Sequence, residues 1–302
     1  MLNPLHLRTL VEVVRTGSFA EAARRLGYTP SAVSQQVAGL ERAVALVLFE
    51  REAHSVRATP AAELLAQRSQ EVLASFGALE YEVEAIAAGR VGRLRLGSFP
   101  TASARVLPRG LAEFVRRHPA VEVRLDEGEP DELLPVLLSG DLDLALVYRY
   151  DLVPRRWPAR LVETELLHER VLLLLPPAHP LAGRGEVELA ELAGETWIAS
   201  REGSAGATCL VRACSAAGFT PRVAFRSNDY DVVQGLVAAG LGIALVPELG
   251  HDASAGDVEV ATPTAALYRH VSALHREAGA TSAVLAALHA IQQAAPDIWP
   301  DI

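Results

Sequence analysis

The first 45 residues carry signals for three short helices joined by tight turns, and this spacing constrains the fold more than any other feature. Leucine and valine recur at positions i, i+3, i+4 and i+7 from Leu7 to Val14, which predicts an amphipathic first helix. Gly17 ends that helix, and Ser18 with Glu21 three residues later forms the capping-box pattern that begins a second helix. Gly27 ends the second helix, so the turns leave little chain between elements.

A third helix is predicted to begin after Thr29, which can cap it, with Pro30 at the first helical position. Its buried stripe is Val33, Val37, Leu40 and Val44. The opposite face carries Ser31, Gln35, Ala38 and Arg42, with Ser34 on the flank. Glutamine and serine can reach base edges, and arginine can reach phosphates. Periodicity alone leaves two interpretations open, a DNA-reading helix-turn-helix or a helical bundle that touches no DNA.

The stretch from Leu7 to Glu41 resembles the winged helix-turn-helix of LysR-type transcriptional regulators. The matching positions are Phe19, Ala22, Ala23, Leu26, Ser31, Ala32, Val33, Ser34, Gln36, Leu40 and Glu41, followed by the run LFER at 48–51. By that resemblance the first turns of the third helix touch DNA, and two wing arginines contact phosphates. The predicted DNA-binding residues are Ser18, Thr29, Pro30, Ser31, Ser34, Gln35, Arg42, Arg51 and Arg57.

The region of the wing departs from the family pattern at four positions. Ala45, Ala58 and Ala62 stand where the family usually has Gly, Leu and Gly, and His54 stands where it usually has Arg. An alanine in a backbone conformation that suits glycine costs about 1 kcal/mol. We therefore expect local strain at Ala45 and one phosphate contact fewer at His54.

From Thr59 onward, apolar residues recur at helical spacing through Ile86, which predicts one long helix over 60–89. Its apolar stripe needs a partner. It can pack onto its own domain or against a second copy of the chain, and the resemblance favours a dimer or tetramer. Two recognition helices would then meet DNA half-sites about one helical turn apart.

Strand and helix patterns alternate through the rest of the chain, which predicts parallel α/β sheets. Within this region 161–176 is predicted to hold two strands. The runs SGDLDLALVY and GLGIALVP resemble the family's effector-binding domain, which has the two-lobed fold of periplasmic solute-binding proteins. The overall prediction is an α+β chain with a winged helix-turn-helix over 1–59, a linker helix over 60–89 and an effector-binding domain over 90–302. One lobe is expected at about 91–162 plus 267–294, and the other at about 163–266.

Polar segments at strand ends are the predicted effector site, because ligands of open α/β sheets bind beyond the carboxyl ends of strands. The predicted residues are Ser98, Phe99, Pro100, Thr101, Tyr148, Arg149, Ser200, Arg201, Ser204, Asn228 and Asp229. Each polar residue has a plainer interpretation as a helix cap or a solvated charge. The resemblance places three of these segments around the cleft, and helix N-termini with Arg201 favour an anionic effector such as a carboxylate.

The composition of the chain narrows the range of possible functions. Residues 1–60 hold 7 Arg against 5 acidic residues, although the whole chain has a net charge of −9. Two cysteines, Cys209 and Cys214, fit a reducing compartment; their i, i+5 spacing places them beyond disulfide reach, and a redox sensor remains the minor alternative. Histidines lack metal-ligand spacing, and no catalytic constellation is present.

We expect a cytoplasmic regulator with no cofactor, no membrane segment and no enzymatic activity. The alternatives are a ligand-binding or enzymatic α/β protein with a helical interaction module that binds no DNA.

Overall fold

The computed structural model describes residues 2–51, 56–87, 92–254, 257–278 and 280–295. It begins with the three predicted helices α1 (Pro4–Thr16), α2 (Phe19–Leu26) and α3 (Pro30–Val44). The predicted caps of α2 and α3 are confirmed, since Ser18 Oγ accepts from the Glu21 N–H and Thr29 Oγ1 accepts from the Ala32 N–H. The reciprocal half of the capping box is wrong, because the Glu21 carboxylate accepts from Arg24 and Arg25 instead.

The three helices enclose a small core and lead into a hairpin. Leu10, Val13, Val33 and Leu40 are fully buried at their junction. The hairpin pairs β1 (Phe49–Arg51) with β2 (Val56–Ala58) in antiparallel register. His54 and the side chain of Arg51 lie outside the described residues, so the predictions made for them stay predictions.

The expected strain at Ala45 is confirmed. The residue has φ 55° and ψ 35°, the left-handed conformation, at the C-terminus of α3. It is the only non-glycine residue with positive φ among the described parts of the chain. Leu46 N then donates to Glu41 O, which closes the end of the helix. A Cβ in this conformation is unfavourable, so Ala45 is a local weak point of the DNA-binding domain.

The linker is one helix, α4 (Pro60–Ala87), of 28 residues. Its apolar side chains form two groups, one packed against the core and one exposed. Leu65 and Leu73 pack against the core of α1–α3, whereas a second stripe is exposed. That stripe comprises Leu64, Val72, Phe76, Leu79 and Val83. Packing onto its own domain therefore covers only part of the apolar surface of α4.

The first group of strands in the effector-binding region forms a mixed sheet. Its order is β4-β3-β5-β12-β6. These strands are β3 (Arg93–Ser98), β4 (Glu122–Glu127), β5 (Leu144–Tyr150), β6 (Leu161–Leu175) and β12 (Tyr268–Arg276). Strand β3 runs parallel to β4 and β5, but β12 is antiparallel to both β5 and β6. The prediction of purely parallel sheets is therefore wrong.

The second group of strands extends from the far end of β6. Its strands are β7 (Glu186–Val187), β8 (Thr196–Ala199), β9 (Arg222–Arg226), β10 (Ala244–Pro247) and β11 (Glu259–Pro263). Residues 171–175 of β6 pair with β10 and β11, whereas 161–170 pair with β12. The prediction of two strands over 161–176 is wrong, because no turn-forming residue interrupts this run. One continuous strand joins the two groups.

Six helices pack on these strands. They are α5 (Pro100–Arg105), α6 (Leu107–Arg117), α7 (Pro130–Ser139), α8 (Ala205–Ala216), α9 (Tyr230–Ala238) and α10 (Ser282–Ala294). One apolar cluster runs through both groups of strands and includes Phe99, Phe114, Trp197 and Leu210. The chain passes between the groups within β6 and again between β11 and β12. None of the helices described is both long and apolar enough to cross a bilayer.

Candidate DNA-binding face and effector cleft

The outer face of α3 gathers most of the predicted DNA-binding residues. Ser31, Gln35, Ala38 and Arg42 are exposed along one side of the helix, and Ser34 is half-buried at its flank. Thr29 and Pro30 are exposed at the N-terminus, where the hydroxyls of Thr29 and Ser31 lie 3.0 Å apart. This face matches what a recognition helix presents to the major groove.

Two other predicted residues lie on different elements. Ser18 is half-buried at the N-terminus of α2, and Arg57 is exposed on β2 of the hairpin. Helix N-termini and wing arginines can contact phosphates without carrying sequence information. The predicted residues therefore fall into two groups, one on the exposed face of α3 and one on the elements around it.

Acidic residues near α3 are held in local hydrogen bonds. Glu41 Oε1 accepts from the Leu48 N–H at 2.8 Å and so fixes the turn between α3 and β1. Hydrogen bonds from Arg24 and then Arg25 lower the pKa of Glu21 to about 2. Both carboxylates therefore already accept hydrogen bonds from groups of the same domain.

A cleft between the two groups of strands gathers seven of the predicted effector residues. Its empty space, part of which is open to solvent, is about 340 Å³. Its lining residues are Phe99, Pro100, Thr101, Glu129, Tyr148, Ser200, Ser204, Gly206, Asn228, Tyr230 and Arg269. They come from β5, from the start of α5 and α8, from β12 and from loops of both groups. The cleft therefore exists only when both halves of the region are folded together.

Four predicted effector residues lie elsewhere. Ser98 is fully buried, behind the cleft lining. Arg149 lines a neighbouring cavity beside the N-terminus of α8, and Arg201 and Asp229 lie at the outer mouth of the cleft. Asp229 caps α9, whereas Asn228 Oδ1 accepts from the Arg201 N–H at 2.9 Å and so joins the two loops at the mouth.

The most buried charges at the cleft are Arg269 and Glu169, which oppose each other on β12 and β6. Arg269 Nε donates to Glu169 Oε1 at 2.6 Å, and Arg269 Nη2 donates to Thr101 Oγ1 at 2.9 Å. The other Glu169 oxygen accepts from the Leu249 N–H at 2.6 Å. Burial disfavours the charged guanidinium, but Glu169 outweighs it and the pKa of Arg269 is raised. Burial also raises the pKa of Glu169, against the opposing effect of the Arg269 charge. The hydrogen-bonded pair ties both halves of the region to the cleft floor.

Aromatic rings form one wall of the cleft. The Arg269 guanidinium lies 5.0 Å from the ring centre of Tyr148 and 5.2 Å from that of Phe99. The Tyr148 hydroxyl donates to Glu129 Oε2 at 2.6 Å. Burial, followed by the charge of Glu129, raises the pKa of Tyr148, so the phenol stays protonated and remains a donor.

Sequence reasoning missed four residues of this site: Glu129, Glu169, Tyr230 and Arg269. A weak signal exists for two of them. Arg269 and Glu169 are charges of opposite sign at the borders of strongly apolar runs. Their pairing depends on the register of β12 against β6, which the sequence does not reveal. Glu129 follows a strand end, but its contact with Tyr148 joins segments 19 residues apart.

The two cysteines are buried on α8 and unbridged. Burial raises the pKa of each thiol to about 12. Such thiols are poor nucleophiles at neutral pH, which disfavours a peroxide-sensing role. Within the described ranges, no cluster of three or more His, Cys, Asp or Glu residues has the geometry of a metal site.

Known proteins share both parts of this architecture. Residues 5–63 match the family described as "Bacterial regulatory helix-turn-helix protein, lysR family", and residues 87–296 match "LysR substrate binding domain". The transcriptional dual regulator GltC of Bacillus subtilis is 30% identical over 80% of this chain and 79% of its own length. A probable hydrogen peroxide-inducible genes activator of Streptomyces viridosporus is 34% identical over 80% of this chain and 76% of its own.

Solved structures share the fold along nearly the whole chain. Full-length OxyR from Pseudomonas aeruginosa superimposes with a TM-score of 0.66 at 22% identity, covering 97% of this chain and 96% of that one. Regulators of this kind bind DNA through the helix-turn-helix, bind small molecules in the second domain and oligomerise. On the strength of both domain matches, the chain belongs to the LysR family and is a transcriptional regulator rather than an enzyme.

Proposed function

We propose that this regulator reads a specific DNA site with the exposed face of α3 and that a small polar effector in the cleft changes its DNA affinity. In this proposal the edges of the bases are contacted by Ser31, Ser34, Gln35 and Arg42. Ser18, Thr29, Pro30, Arg51 and Arg57 contact the DNA backbone. The observation that carries the proposal is the cleft itself, because it places a buried guanidinium and several hydroxyls around one small cavity. The protein acts on DNA in the cytoplasm.

A carboxylate of the effector would bind at the inner end of the cleft. Thr101, Ser200 and Ser204 supply hydroxyls, and the first turn of the 12-residue helix α8 supplies backbone N–H groups. Arg269 supplies the cation, whereas Arg201 is exposed and stays at the mouth. We therefore expect Arg269 to matter more than Arg201 for an anionic group.

Helix α7 is the proposed connection between the cleft and the linker helix. Its N-cap is Glu129, which accepts from Tyr148 in the cleft. At the other end, a Cβ on Gly140 would lie 2.5 Å from the Cβ of Ala74 on α4, so α7 and α4 are in close contact. Arg276 Nη1 holds the carbonyls of Leu137 and Leu142 beside that contact. A ligand that moves Glu129 would move α7 against α4, the helix that carries the DNA-binding domain.

The exposed stripe of α4 is the proposed dimer contact, which sets the spacing of two recognition helices on DNA. An effector can change that spacing only if it binds one arrangement more tightly than the other. The coupling between effector and DNA therefore depends on how much more tightly the effector binds one packing of α7 on α4 than the other.

The test measures DNA affinity by fluorescence anisotropy with and without a ligand selected by thermal-shift screening of metabolites. The variants are Ala74→Leu, which pushes α4 from Gly140, and Gln67→Leu as control, at an exposed position of α4 that lies off the apolar stripe. The wild type and the control should show an effector-dependent change of at least about fivefold, and Ala74→Leu should show none. An undiminished change in Ala74→Leu would reject the α7 connection. A wild type that binds no DNA would reject the function.

A further inference from the structure

The charges inside the cleft do not balance, and this imbalance points to the class of effector. One acidic residue, Glu129, and one basic residue, Arg269, line the cleft directly. The charge of Arg269 is neutralised by Glu169 at 2.6 Å. The donors to the Glu129 carboxylate among the described residues are uncharged, namely the Tyr148 hydroxyl and a backbone N–H in the first turn of α7.

No cation of the described residues forms an ion pair with Glu129. The chain contains no lysine, so arginine and histidine are the only candidates. The nearby Arg155 is bound to Asp131 at 2.6 Å, and Arg269 faces Glu169. A cationic ligand group beside this half-buried carboxylate would add the ion pair that its uncharged donors do not supply.

The positions of the two charges suit one ligand that carries both signs. Arg269 lies over the face of the Tyr148 ring, and Glu129 lies at the hydroxyl end of the same ring. A single aromatic ring therefore separates the anion-binding and cation-binding ends. Among the described residues no acceptor is bonded to Arg269 Nη1, which leaves it for a ligand carboxylate beside Thr101.

We infer that the effector is a zwitterion of the amino-acid class, with its ammonium group on Glu129 and its carboxylate at Arg269 and the first turn of α8. This inference rests on the proposed function, because it names the ligand of the same cleft. It excludes a plain carboxylate as the preferred effector. The neutral Ser200 and the aromatic rings of Phe99 and Tyr230 then face the rest of the molecule.

The experiment compares matched probes on the full-length protein by calorimetry. Each set contains an α-amino acid, the same acid without its amino group, and the amine without its carboxylate: alanine, propionate and ethylamine; leucine, 4-methylpentanoate and 3-methylbutylamine; phenylalanine, 3-phenylpropionate and phenethylamine. In at least one set the amino acid should bind about tenfold more tightly than either partner, as expected for a charge-assisted hydrogen bond at each end.

Three variants locate the preference. Glu129→Gln removes the charge but keeps the shape, and the advantage over the des-amino acid should fall to within about twofold. Glu129→Asp keeps the charge and should keep the preference, which guards against a loss due to misfolding. Asp126→Asn removes a negative charge that is exposed on β4 outside the cleft and should change nothing.

Each outcome of these titrations either supports the inference or overturns it. It is overturned if the des-amino acids bind as tightly as the amino acids, if the preference survives Glu129→Gln, or if no amino acid of the sets binds at millimolar concentration. DNA binding is measured on the same samples. Loss of DNA binding by the wild type would reject the proposed function while leaving the ligand preference intact, so the two failures are distinguishable.

Discussion

The proposed DNA-binding face and the proposed effector cleft are built in opposite ways. The face comes from one helix, and its residues Ser31, Gln35 and Arg42 are neighbours because successive members are four and seven residues apart in sequence. The cleft comes from several separate segments, and Thr101 meets Arg269 across 168 positions of the chain. One site is exposed and local, whereas the other is buried and depends on the whole domain.

This difference predicts how each site responds to substitution. An exposed side chain on α3 can be replaced without loss of folding, so its contribution should appear only in DNA binding. A buried charge in the cleft supports the structure around it, so its replacement should appear first as lost stability. Stability and binding should therefore respond separately in the two regions.

The largest expected effect is from Glu169→Gln, which leaves Arg269 charged and buried without its counter-ion. We expect the effector-binding domain to lose about 3–5 kcal/mol in free energy of unfolding. Trp157 and Trp197 lie in the effector-binding region and residues 1–89 contain no tryptophan, so urea unfolding followed by tryptophan fluorescence does not report on the DNA-binding domain. The control is Glu165→Gln on the same strand, where the exposed side chain predicts a change within about 0.5 kcal/mol. Equal effects of the two substitutions would show that the buried Arg269–Glu169 pair does not support the domain.

The next effect concerns the exposed face. Gln35→Ala should weaken binding to the specific DNA site about 10- to 100-fold, the cost of one lost base contact, while binding to random DNA stays the same. Anisotropy titrations at one fixed salt concentration measure both constants. Gln67→Ala, an exposed glutamine on α4, is the matched control. A uniform loss on all DNA would place Gln35 on the backbone instead of on a base.

A smaller effect is expected at the end of α3. Ala45→Gly should stabilise the DNA-binding domain by about 1 kcal/mol, because glycine accepts the left-handed conformation that alanine holds there. Amide hydrogen exchange over α1–α3 should slow about fivefold. Ala38→Gly, at an exposed position inside the same helix, should have the opposite sign and similar size. Faster exchange in Ala45→Gly would show that Ala45 is not strained.

The smallest effect is expected from alkylation of Cys209 and Cys214 at neutral pH. Burial raises both pKa values to about 12, so the reactive thiolate is scarce at pH 7 and increases only as the pH rises toward 12. Iodoacetamide should react slowly with the folded protein and label two thiols per chain after denaturation. Rapid labelling of the folded chain at pH 7 would contradict this burial and revive a redox role.

The same contrast explains what the sequence reveals. Helix boundaries, the caps Ser18 and Thr29, and the strain at Ala45 follow from residues close together in the chain, and the structure confirms them. The continuity of β6 and the Arg269–Glu169 pair depend on strand register across the domain, which local patterns do not encode. Seven cleft residues were still predictable because they follow strand ends, where α/β sheets place their ligands.

Specific DNA binding is the central claim, and one titration tests it most directly. The full-length protein is titrated against labelled DNA from upstream of its own gene, against sites selected from a random library, and against a scrambled sequence, all at the same low salt concentration. We expect saturable binding to one site that is roughly a thousandfold tighter than to scrambled DNA. Absence of binding to both the upstream and the selected DNA would contradict it.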